Sequence, residues 1–395
     1  MAERAVNPFI WSDAIDDLSR TVSRGEFTER IALHLKSGTN VALFGPRGTG
    51  KTTFTLQLAA ELERRHGRDA PPFATVLINL MDAISLQATI GCVARALSSP
   101  RLNPAMRGEG RRQLERVGAE FGFDFRVIRY TARSERAASP QSDAEVLHAT
   151  LGSLLRLGPR LVVVFDEFQR LHALRAQEPL AIIRSALMGP GTANTSLLFT
   201  GSIRAALAMM FDESRDPLFD QASKEDLPRI GRADFGEFLE LHSRATRRPF
   251  SDEAIAHLLA ITNAHPKRTQ HLAWHVWNQG SGGRTVALDG VERGLESALA
   301  SLGDLFTNQL SLLLNSGSPV DQDAVRVLHT MAAHGWTTRA AVLQRYGIKR
   351  RQDIYPARER LLRLGLVEQD RDEGGWSIVD PLFATWLRRR PGLPA

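Results

Sequence analysis

One segment of this 395-residue chain has the residue types and the spacing to bind phosphate groups. Residues 45–52 read GPRGTGKT and fit the pattern G-x-x-x-x-G-K-[ST] at every position. In such a loop the glycines let backbone N–H groups turn towards an anion with no Cβ in the way. Lys51 supplies a cation for the β- and γ-phosphates, and the hydroxyl of Thr52 is a ligand for Mg²⁺. The residues expected to contact a nucleotide are Gly45, Pro46, Arg47, Gly48, Thr49, Gly50, Lys51, Thr52 and Thr53.

Two carboxylates follow the apolar run LVVVF at 161–165. Open α/β sheets bind their ligands at the carboxyl ends of the strands, so this pair would lie near the phosphate-binding loop. We predict that Asp166 holds Mg²⁺, directly or through water, and that Glu167 polarises the attacking water. An Asp-Glu pair after a strand is also common at solvated strand ends, and it is the combination with the loop that favours catalysis.

A third group of polar residues follows the apolar run LLF at 197–199. Thr200 or Ser202 could hydrogen-bond the lytic water or the γ-phosphate, and Arg204 could reach the phosphate. The alternative is an ordinary strand-to-helix turn with a solvated arginine.

Short apolar runs alternate with helix-spaced segments in the first 230 residues, which predicts a parallel sheet covered on both faces. The stretch 98–143 interrupts this pattern with many arginines and several prolines, and we predict a partly ordered insertion there, with one short helix and a candidate strand at 123–130. After Asp234 the strand signals stop and helical spacing continues. The predicted strands are 41–44, 73–80, 161–165, 196–200 and a fifth near 227–230.

In this order, the three polar segments resemble those of the AAA+/STAND branch of P-loop NTPases, above all the archaeal ATPase family and the origin-recognition initiator ATPases. The resemblance extends from about Asn7 to Arg390 and includes the ending DPLFATWL at 380–387. It implies an α/β P-loop NTPase with an AAA+-like parallel sheet and flanking helices, an all-α lid and a C-terminal winged helix-turn-helix. The domains it implies are 1–232, 233–316 and 318–395. It also implies ATP and Mg²⁺ as cofactors and Mg²⁺-dependent ATP hydrolysis.

In the family that the chain resembles, an arginine of the helical lid contacts the γ-phosphate. The segment NAHPKR at 263–268 occupies that place here, which makes Arg268 the candidate. The alternative is an exposed arginine at the start of a helix. If the protein forms rings, Arg215 is a candidate trans-acting arginine finger, although neighbouring acids could pair with it. The resemblance further suggests adenine contacts near 7–10.

The net charge of +6 is concentrated near the C-terminus. Residues 318–395 hold 13 basic and 9 acidic residues, and residues 349–363 alone hold six basic and two acidic residues. The latter segment covers the third helix of the predicted helix-turn-helix and the turn before it, where a recognition helix would face the major groove. We expect Arg358, Arg360 and Arg363 to point away from the core. The acidic tip of the predicted wing, 370–373, would repel a phosphate backbone, so a protein partner is the alternative to double-stranded DNA.

Composition excludes several other classes of protein. The single cysteine, Cys92, excludes an intramolecular disulfide framework and a Cys-rich zinc module. His271 and His275 share one helix face, but no third ligand is near in sequence, so we expect a packed helix rather than a metal site. The chain shows neither a signal pattern nor an apolar run long enough to span a bilayer, and we expect a cytoplasmic protein with no membrane partner.

Three functional hypotheses remain. The first is a molecular switch in which ATP binding and hydrolysis control DNA binding or assembly through the winged helix. The second is a regulatory or signalling ATPase whose winged helix binds a protein partner rather than DNA. In either case the chain could also form a homo-oligomer. The third is a nucleotide-binding scaffold that hardly hydrolyses ATP, and the intact loop together with Glu167 argues against it.

Overall fold

The computed structural model describes residues 6–12, 17–64, 73–125, 140–189, 191–280, 283–370 and 375–390. The chain divides into two compact units. The sheet unit comprises Arg24–Gly45 and Lys51–Pro228, and the helical unit comprises Met1–Ser23, Pro46–Gly50 and Arg229–Ala395. Within the described ranges, no helix combines the length and the apolar composition needed to cross a bilayer.

The sheet unit is built on a five-stranded sheet whose neighbouring strands are all parallel, in the order β2–β3–β4–β1–β5. This confirms the predicted α/β P-loop NTPase class. The three interior strands, β3, β4 and β1, are buried over almost their whole length, which explains why they read as continuous apolar runs. The strands are β1 Val41–Phe44, β2 Ala74–Asn79, β3 Leu161–Asp166, β4 Thr195–Gly201 and β5 Ser223–Asp226.

Helices cover both faces of the sheet, and alternate strand residues belong to two separate apolar clusters. Leu43 and Val164 pack with the first two helices, whereas Phe165 and Phe199 pack with α3, α5 and α6 on the other face. This alternation follows from the two-residue period of a strand. The helices are α1 Gly25–Lys36, α2 Lys51–Glu63, α3 Leu86–Leu97, α4 Pro104–Phe121, α5 Pro140–Gly152, α6 Pro179–Leu187 and α7 Arg204–Asp212, with 3-10 turns at Ser153–Arg156 and Phe168–Gln177.

Two predictions about this unit are wrong. The fifth strand is not at 227–230 but four residues earlier, at 223–226, and its sequence SKED carries no apolar signal because it pairs only with β1 at the edge of the sheet. The insertion contains an 18-residue helix, α4, rather than a short one. Asn103 caps it by accepting a hydrogen bond from the Met106 amide, and Pro104 occupies its first turn. The candidate strand at 123–130 is described only in part. Residues 123–125 form no strand, and residues 126–130 lie outside the described residues.

The helical unit has the element order expected for a lid followed by a winged helix-turn-helix. After the first four helices, three more helices lead to the antiparallel pair β6–β7 and a final helix. Of the predicted wing tip, 370–373, residues 371–373 lie outside the described residues. The elements are α8 Arg232–Ala245, α9 Asp252–Thr262, α10 Pro266–Gln279, α11 Leu288–Leu314, α12 Pro319–His334, α13 Ala340–Arg345, a 3-10 turn at Arg351–Asp353, α14 Ile354–Arg363, β6 Val367–Asp370, β7 Gly375–Ile378 and α15 Pro381–Arg389.

One hydrophobic cluster runs through the whole helical unit. Phe306 of α11 lies 5.2 Å from Phe383 and 5.7 Å from Trp386 of α15, measured between ring centroids. The predicted domain boundary at 316–318 falls between α11 and α12, and the three-domain division stays a prediction.

The arginines of α14 do not all face solvent. Arg360 Nε donates to Asp321 Oδ1 of α12 at 2.8 Å, and this bond holds the pKa of the Asp321 carboxyl below its usual value. Arg358 lies with its guanidinium 4.7 Å from the ring centroid of Trp376. Arg363 is exposed. The prediction that all three point away from the core is therefore wrong for Arg358 and Arg360, because each has an anionic or aromatic partner within the fold.

Candidate nucleotide-binding site

The glycine-rich loop connects the end of β1 at Phe44 to the start of α2 at Lys51. Gly48 and Gly50 have φ angles of +81° and +85°, a backbone region that glycine adopts without strain. The Lys51 ammonium is buried, with 6% of the residue exposed, and donates to Gly45 O at 2.7 Å. Thr49 Oγ1 donates to Pro46 O at 2.8 Å, which closes the loop on itself. Thr53 follows in the first turn of α2.

The two predicted metal ligands meet at the carboxyl end of β3. Thr52 Oγ1 donates to Asp166 Oδ2 at 2.8 Å, although the two residues are 114 positions apart in the chain. Asp166 is 3% exposed, and its Oδ1 accepts hydrogen bonds from Thr200 Oγ1 and from the Glu167 amide. A carboxylate beside a hydroxyl is the kind of donor set that Mg²⁺ uses when it is shared with nucleotide phosphates and water. These residues therefore fit the expected metal.

Glu167, the predicted general base, is held by two neighbours. Ser202 Oγ donates to Glu167 Oε2 at 2.7 Å, and Gln169 Nε2 donates to the same oxygen. Gln169 Nε2 also lies 3.2 Å from Ser202 Oγ, so the three side chains form one closed group. Glu167 has a φ of 58°, in the left-handed region that is uncommon for a non-glycine residue. The side chain is thus fixed in direction next to Asp166.

The turn after β4 supplies positioning contacts. Thr200 is fully buried against Asp166, and Ser202 is 7% exposed against Glu167. Gly201 between them leaves room for this group, because a Cβ there would lie 2.5 Å from Gln169 Oε1. A direct role of Thr200 in catalysis stays a prediction.

The two other candidate arginines of the sheet unit have partners of their own. Arg204 forms an ion pair with Asp226 and lies with its guanidinium 4.6 Å from the ring centroid of Phe44. Arg215 forms an ion pair with Glu213 at 2.8 Å, and 75% of its side chain is exposed.

Within the helical unit, the start of α10 holds the middle of the glycine-rich loop. The Lys267 amide donates to Gly48 O at 3.1 Å, and His265 Nε2 lies 3.2 Å from Arg47 O. His265 Nδ1 accepts from the Arg268 amide at 3.3 Å, so the ring is neutral with its proton on Nε2. Burial lowers the pKa of His265 to about 4, which keeps this state at neutral pH. A Cβ at Gly48 would lie 2.6 Å from the imidazole, so the loop needs glycine there.

Arg268 itself is buried. Only 7% of its side chain is exposed, and it forms an ion pair with Asp380 at the start of α15. The alternative of an exposed arginine at the start of a helix is therefore wrong. A contact between Arg268 and a γ-phosphate stays a prediction.

The segment suggested for adenine contacts packs on α10. Asn7 Nδ2 donates to Trp274 O at 3.0 Å, and the Ile10 amide donates to Gln270 Oε1 at 3.2 Å. Phe9 is buried, with its ring centroid 5.7 Å from that of Phe250.

A buried histidine pair lies in the middle of α10. His271 Nε2 is 3.2 Å from His275 Nε2 and 3.2 Å from Ser301 Oγ. Burial, and then the neighbouring His275, lower the pKa of His271 to about 3, and burial lowers the pKa of His275 as well. No cluster of three or more metal-ligating side chains occurs among the described residues. Both rings are buried where α10 packs on α11, and His275 Nδ1 also lies 2.9 Å from Ser297 Oγ.

Acid should destabilise the helical unit through this pair. Unfolded histidine binds a proton near pH 6.5, whereas native His271 binds one only near pH 3, so the free energy of unfolding falls as the pH drops below about 6.5. Between pH 7 and pH 5 we expect His271 to account for about 2 kcal/mol. Urea unfolding followed by tryptophan fluorescence measures this, because all six tryptophans lie in the helical unit. His271→Phe should flatten the dependence and His148→Phe in the sheet unit should not; an unchanged dependence in His271→Phe would contradict the assignment.

A comparison with protein families identifies the N-terminal part of the chain. Residues 20–199 match the model of the AAA ATPase domain. Over this segment the chain is similar to AAA ATPase domains. The match covers the glycine-rich loop, the Asp166–Glu167 pair and the first five of the seven residues of β4, and it agrees with the parallel sheet described above. No curated protein shows significant sequence similarity to the chain.

The similarity to solved structures extends beyond residues 20–199. The Walker-type ATPase PABY2304 of Pyrococcus abyssi is 16% identical, with a TM-score of 0.60 over 95% of this chain and 99% of that one. The ORC2 protein of Aeropyrum pernix, in ADPNP–ADP complexes, is 15% identical, with a TM-score of 0.56 over 93% of each chain. The ADP form of ORC2 is 16% identical, with a TM-score of 0.51 over 93% and 95%. At these identities the likeness concerns the fold.

Sequence reasoning missed three residues around the candidate nucleotide-binding site. Gln169 was missed because its contact with Glu167 depends on a turn after β3, which no motif marks. His265 was not singled out, although its helix-capping position before Pro266 was a visible signal. Asp380 was visible as a cap before Pro381, but nothing in the sequence indicates a partner 112 residues away.

Proposed function

We propose that the chain is a Mg²⁺-dependent ATP-hydrolysing switch whose nucleotide state controls DNA binding or assembly through its winged helix. The observation that carries the enzymatic part is the convergence of the loop hydroxyl and the strand carboxylate, Thr52 Oγ1 and Asp166 Oδ2, at 2.8 Å. Lys51 and Glu167 lie directly next to these residues in the chain. The match to the AAA ATPase domain supports ATP as the substrate class, as does a protein of similar fold, ORC2, in ADPNP–ADP complexes.

Each residue of this group has a distinct role in phosphoryl transfer. Lys51 neutralises charge on the β- and γ-phosphates, and the amides of the loop hold the phosphates at the positive end of α2. Thr52 and Asp166 hold Mg²⁺, which neutralises the charge that develops on the transferred group. Glu167 accepts the proton of the attacking water, and Ser202 with Gln169 fixes the direction of its carboxylate. Catalysis is therefore mostly positioning and electrostatic stabilisation.

Charge distribution supports a DNA contact at the turn before α14. Lys349, Arg350 and Arg351 are exposed in succession. Arg363 is exposed at the end of the same helix. A run of exposed cations at the start of a recognition helix is suited to phosphates that flank the major groove.

A second candidate function follows from the same helix. Arg358 and Arg360 are engaged with Trp376 and Asp321, which leaves fewer cations for base edges than the sequence suggests. This favours a winged helix that binds a protein, such as a regulatory partner or a second copy of the chain.

Binding to a labelled DNA duplex over a series of salt concentrations separates these two functions. With the ATP analogue ADPNP or with ADP present, we expect affinity to fall steeply with salt, because each neutralised phosphate releases counterions. Replacing Arg350 and Arg351 by alanine should reduce the slope of log K against log salt by about 2. A control variant with Arg244 and Arg293 replaced, two exposed arginines of the lid, should behave like the wild type. Absence of binding at low salt in both nucleotide states, or the same loss in the control, would favour the protein-binding function.

A further inference from the structure

The buried ion pair between Arg268 and Asp380 joins two parts of the helical unit. Arg268 lies in the first turn of α10, and Asp380 precedes α15, the last helix of the winged helix-turn-helix. Arg268 Nε donates to Asp380 Oδ2 at 2.8 Å, and Nη2 donates to the same oxygen. Only 7% of the arginine side chain and 20% of the aspartate side chain are exposed. A pair so far removed from water is harder to break than a surface ion pair.

The surroundings of the pair fix both partners. The Arg268 guanidinium lies 5.6 Å from the ring centroid of Phe306, which packs in turn on Phe383 of α15. Asp380 uses its other oxygen, Oδ1, to accept the amides of Leu382 and Phe383 at 3.1 and 3.3 Å. The same carboxylate therefore caps α15 and holds Arg268.

Arg268 directly follows Lys267, whose backbone amide contacts the glycine-rich loop. The Lys267 amide donates to Gly48 O, and the Arg268 amide donates to His265 Nδ1, whose ring reaches Arg47 O. The backbone of Arg268 is thus tied to the loop expected to bind phosphates, while its guanidinium is turned to Asp380.

We propose that Asp380 is a positioning residue that holds Arg268 away from the nucleotide, and that a γ-phosphate competes with Asp380 for the guanidinium. This rests on the proposed ATPase function and adds the element that regulates it. A ligand shifts such an equilibrium only by its differential affinity for the two states. ATP has the competing phosphate and ADP lacks it, so ATP alone would release Asp380. Release frees the carboxylate that caps α15, which links nucleotide state to the winged helix.

Replacement of Asp380 by asparagine isolates the charge from the cap. Asparagine is as good a helix cap as aspartate, so α15 should keep its start while the hold on Arg268 weakens. With Arg268 released, we expect the affinity for ADPNP to rise about fivefold to tenfold, at the lower end of allosteric couplings. The affinity for ADP should stay within about twofold of the wild type, because ADP has no γ-phosphate to gain the contact.

Asp321→Asn is the matched control. It removes a buried carboxylate that is also paired with an arginine, Arg360, in the same C-terminal region but away from α10. The ratio of ADPNP affinity to ADP affinity should stay at the wild-type value. In the double variant Arg268→Ala with Asp380→Asn, the gain should disappear, because the guanidinium through which Asp380 acts is absent.

Isothermal titration of the full chain with ADPNP and with ADP, in the presence of Mg²⁺, tests the competition. A higher ADPNP-to-ADP ratio in Asp380→Asn, lost again in the double variant, would support it. A ratio equal to that of the wild type or of Asp321→Asn would overturn it while leaving the ATPase function intact. Failure of the wild type to bind either nucleotide would instead overturn the ATPase function. If Asp380→Asn folds poorly, Asp380→Ser, which also keeps a capping oxygen, takes its place in the same comparison.

Discussion

Replacement of Lys51 by alanine should greatly weaken nucleotide binding. The ammonium is 6% exposed and donates to Gly45 O at 2.7 Å, so it is already held inside the glycine-rich loop. Its loss removes a charge-assisted contact with the β- and γ-phosphates in a site with little water. We expect the dissociation constant of MgATP to rise at least about 100-fold, or about 2.8 kcal/mol, as measured by isothermal titration.

Lys36→Ala is the control for this variant. Lys36 ends α1 in the same sheet unit and has no role in the proposed site. Its replacement should leave the dissociation constant unchanged, and circular dichroism should show that both variants keep the helical content of the wild type. Wild-type affinity in a folded Lys51→Ala protein would contradict the phosphate-binding assignment of the loop.

Replacement of Glu167 by glutamine should separate binding from hydrolysis. The amide has nearly the same size and still offers an oxygen to Ser202 and Gln169, so the fold and the affinity for MgATP should be retained. It cannot accept the proton of the attacking water, and the loss of a general base lowers the rate about 10²- to 10⁴-fold. Steady-state phosphate release gives kcat, and equilibrium titration gives the affinity of the same preparation.

Glu178→Gln is the matched control for Glu167→Gln. Glu178 is also a glutamate of the sheet unit with a left-handed backbone, at φ 51°, but it is exposed and precedes α6. Its replacement should leave kcat near the wild-type value. If Glu167→Gln turned over ATP as fast as Glu178→Gln, the base would have to be another residue.

Local patterns were sufficient to predict the phosphate loop and its two flanking elements. A strand ending at Phe44 and a helix starting near Lys51 follow from apolar spacing, glycine positions and the complete motif. The Thr52–Asp166 contact could also be anticipated, because parallel strands bring their carboxyl ends to one edge of a sheet even when they are far apart in sequence. The edge strand β5 could not, since its SKED sequence contains no apolar residue.

The contacts that sequence could not predict are those between side chains that no motif connects. The contact of Arg268 with a γ-phosphate stays a prediction. Its pairing with Asp380 could not be anticipated, because the packing of α10, α11 and α15 brings the two charges together in a buried setting. Arg360 was expected in solvent, yet Asp321 of α12 lies within hydrogen-bonding distance. In both cases a partner on a neighbouring element decides where the guanidinium points.

Lys51, Thr52, Asp166 and Glu167 together form the proposed ATP-hydrolysing centre. Its most direct test is a single-turnover experiment in which the full chain, in excess over labelled ATP with Mg²⁺, is quenched at intervals and the bound nucleotide is analysed. We expect the wild type to convert bound ATP to ADP and phosphate, and Glu167→Gln to retain bound ATP over the same period. Bound ATP that remains intact in the wild type, or equal conversion in the two proteins, would contradict the claim.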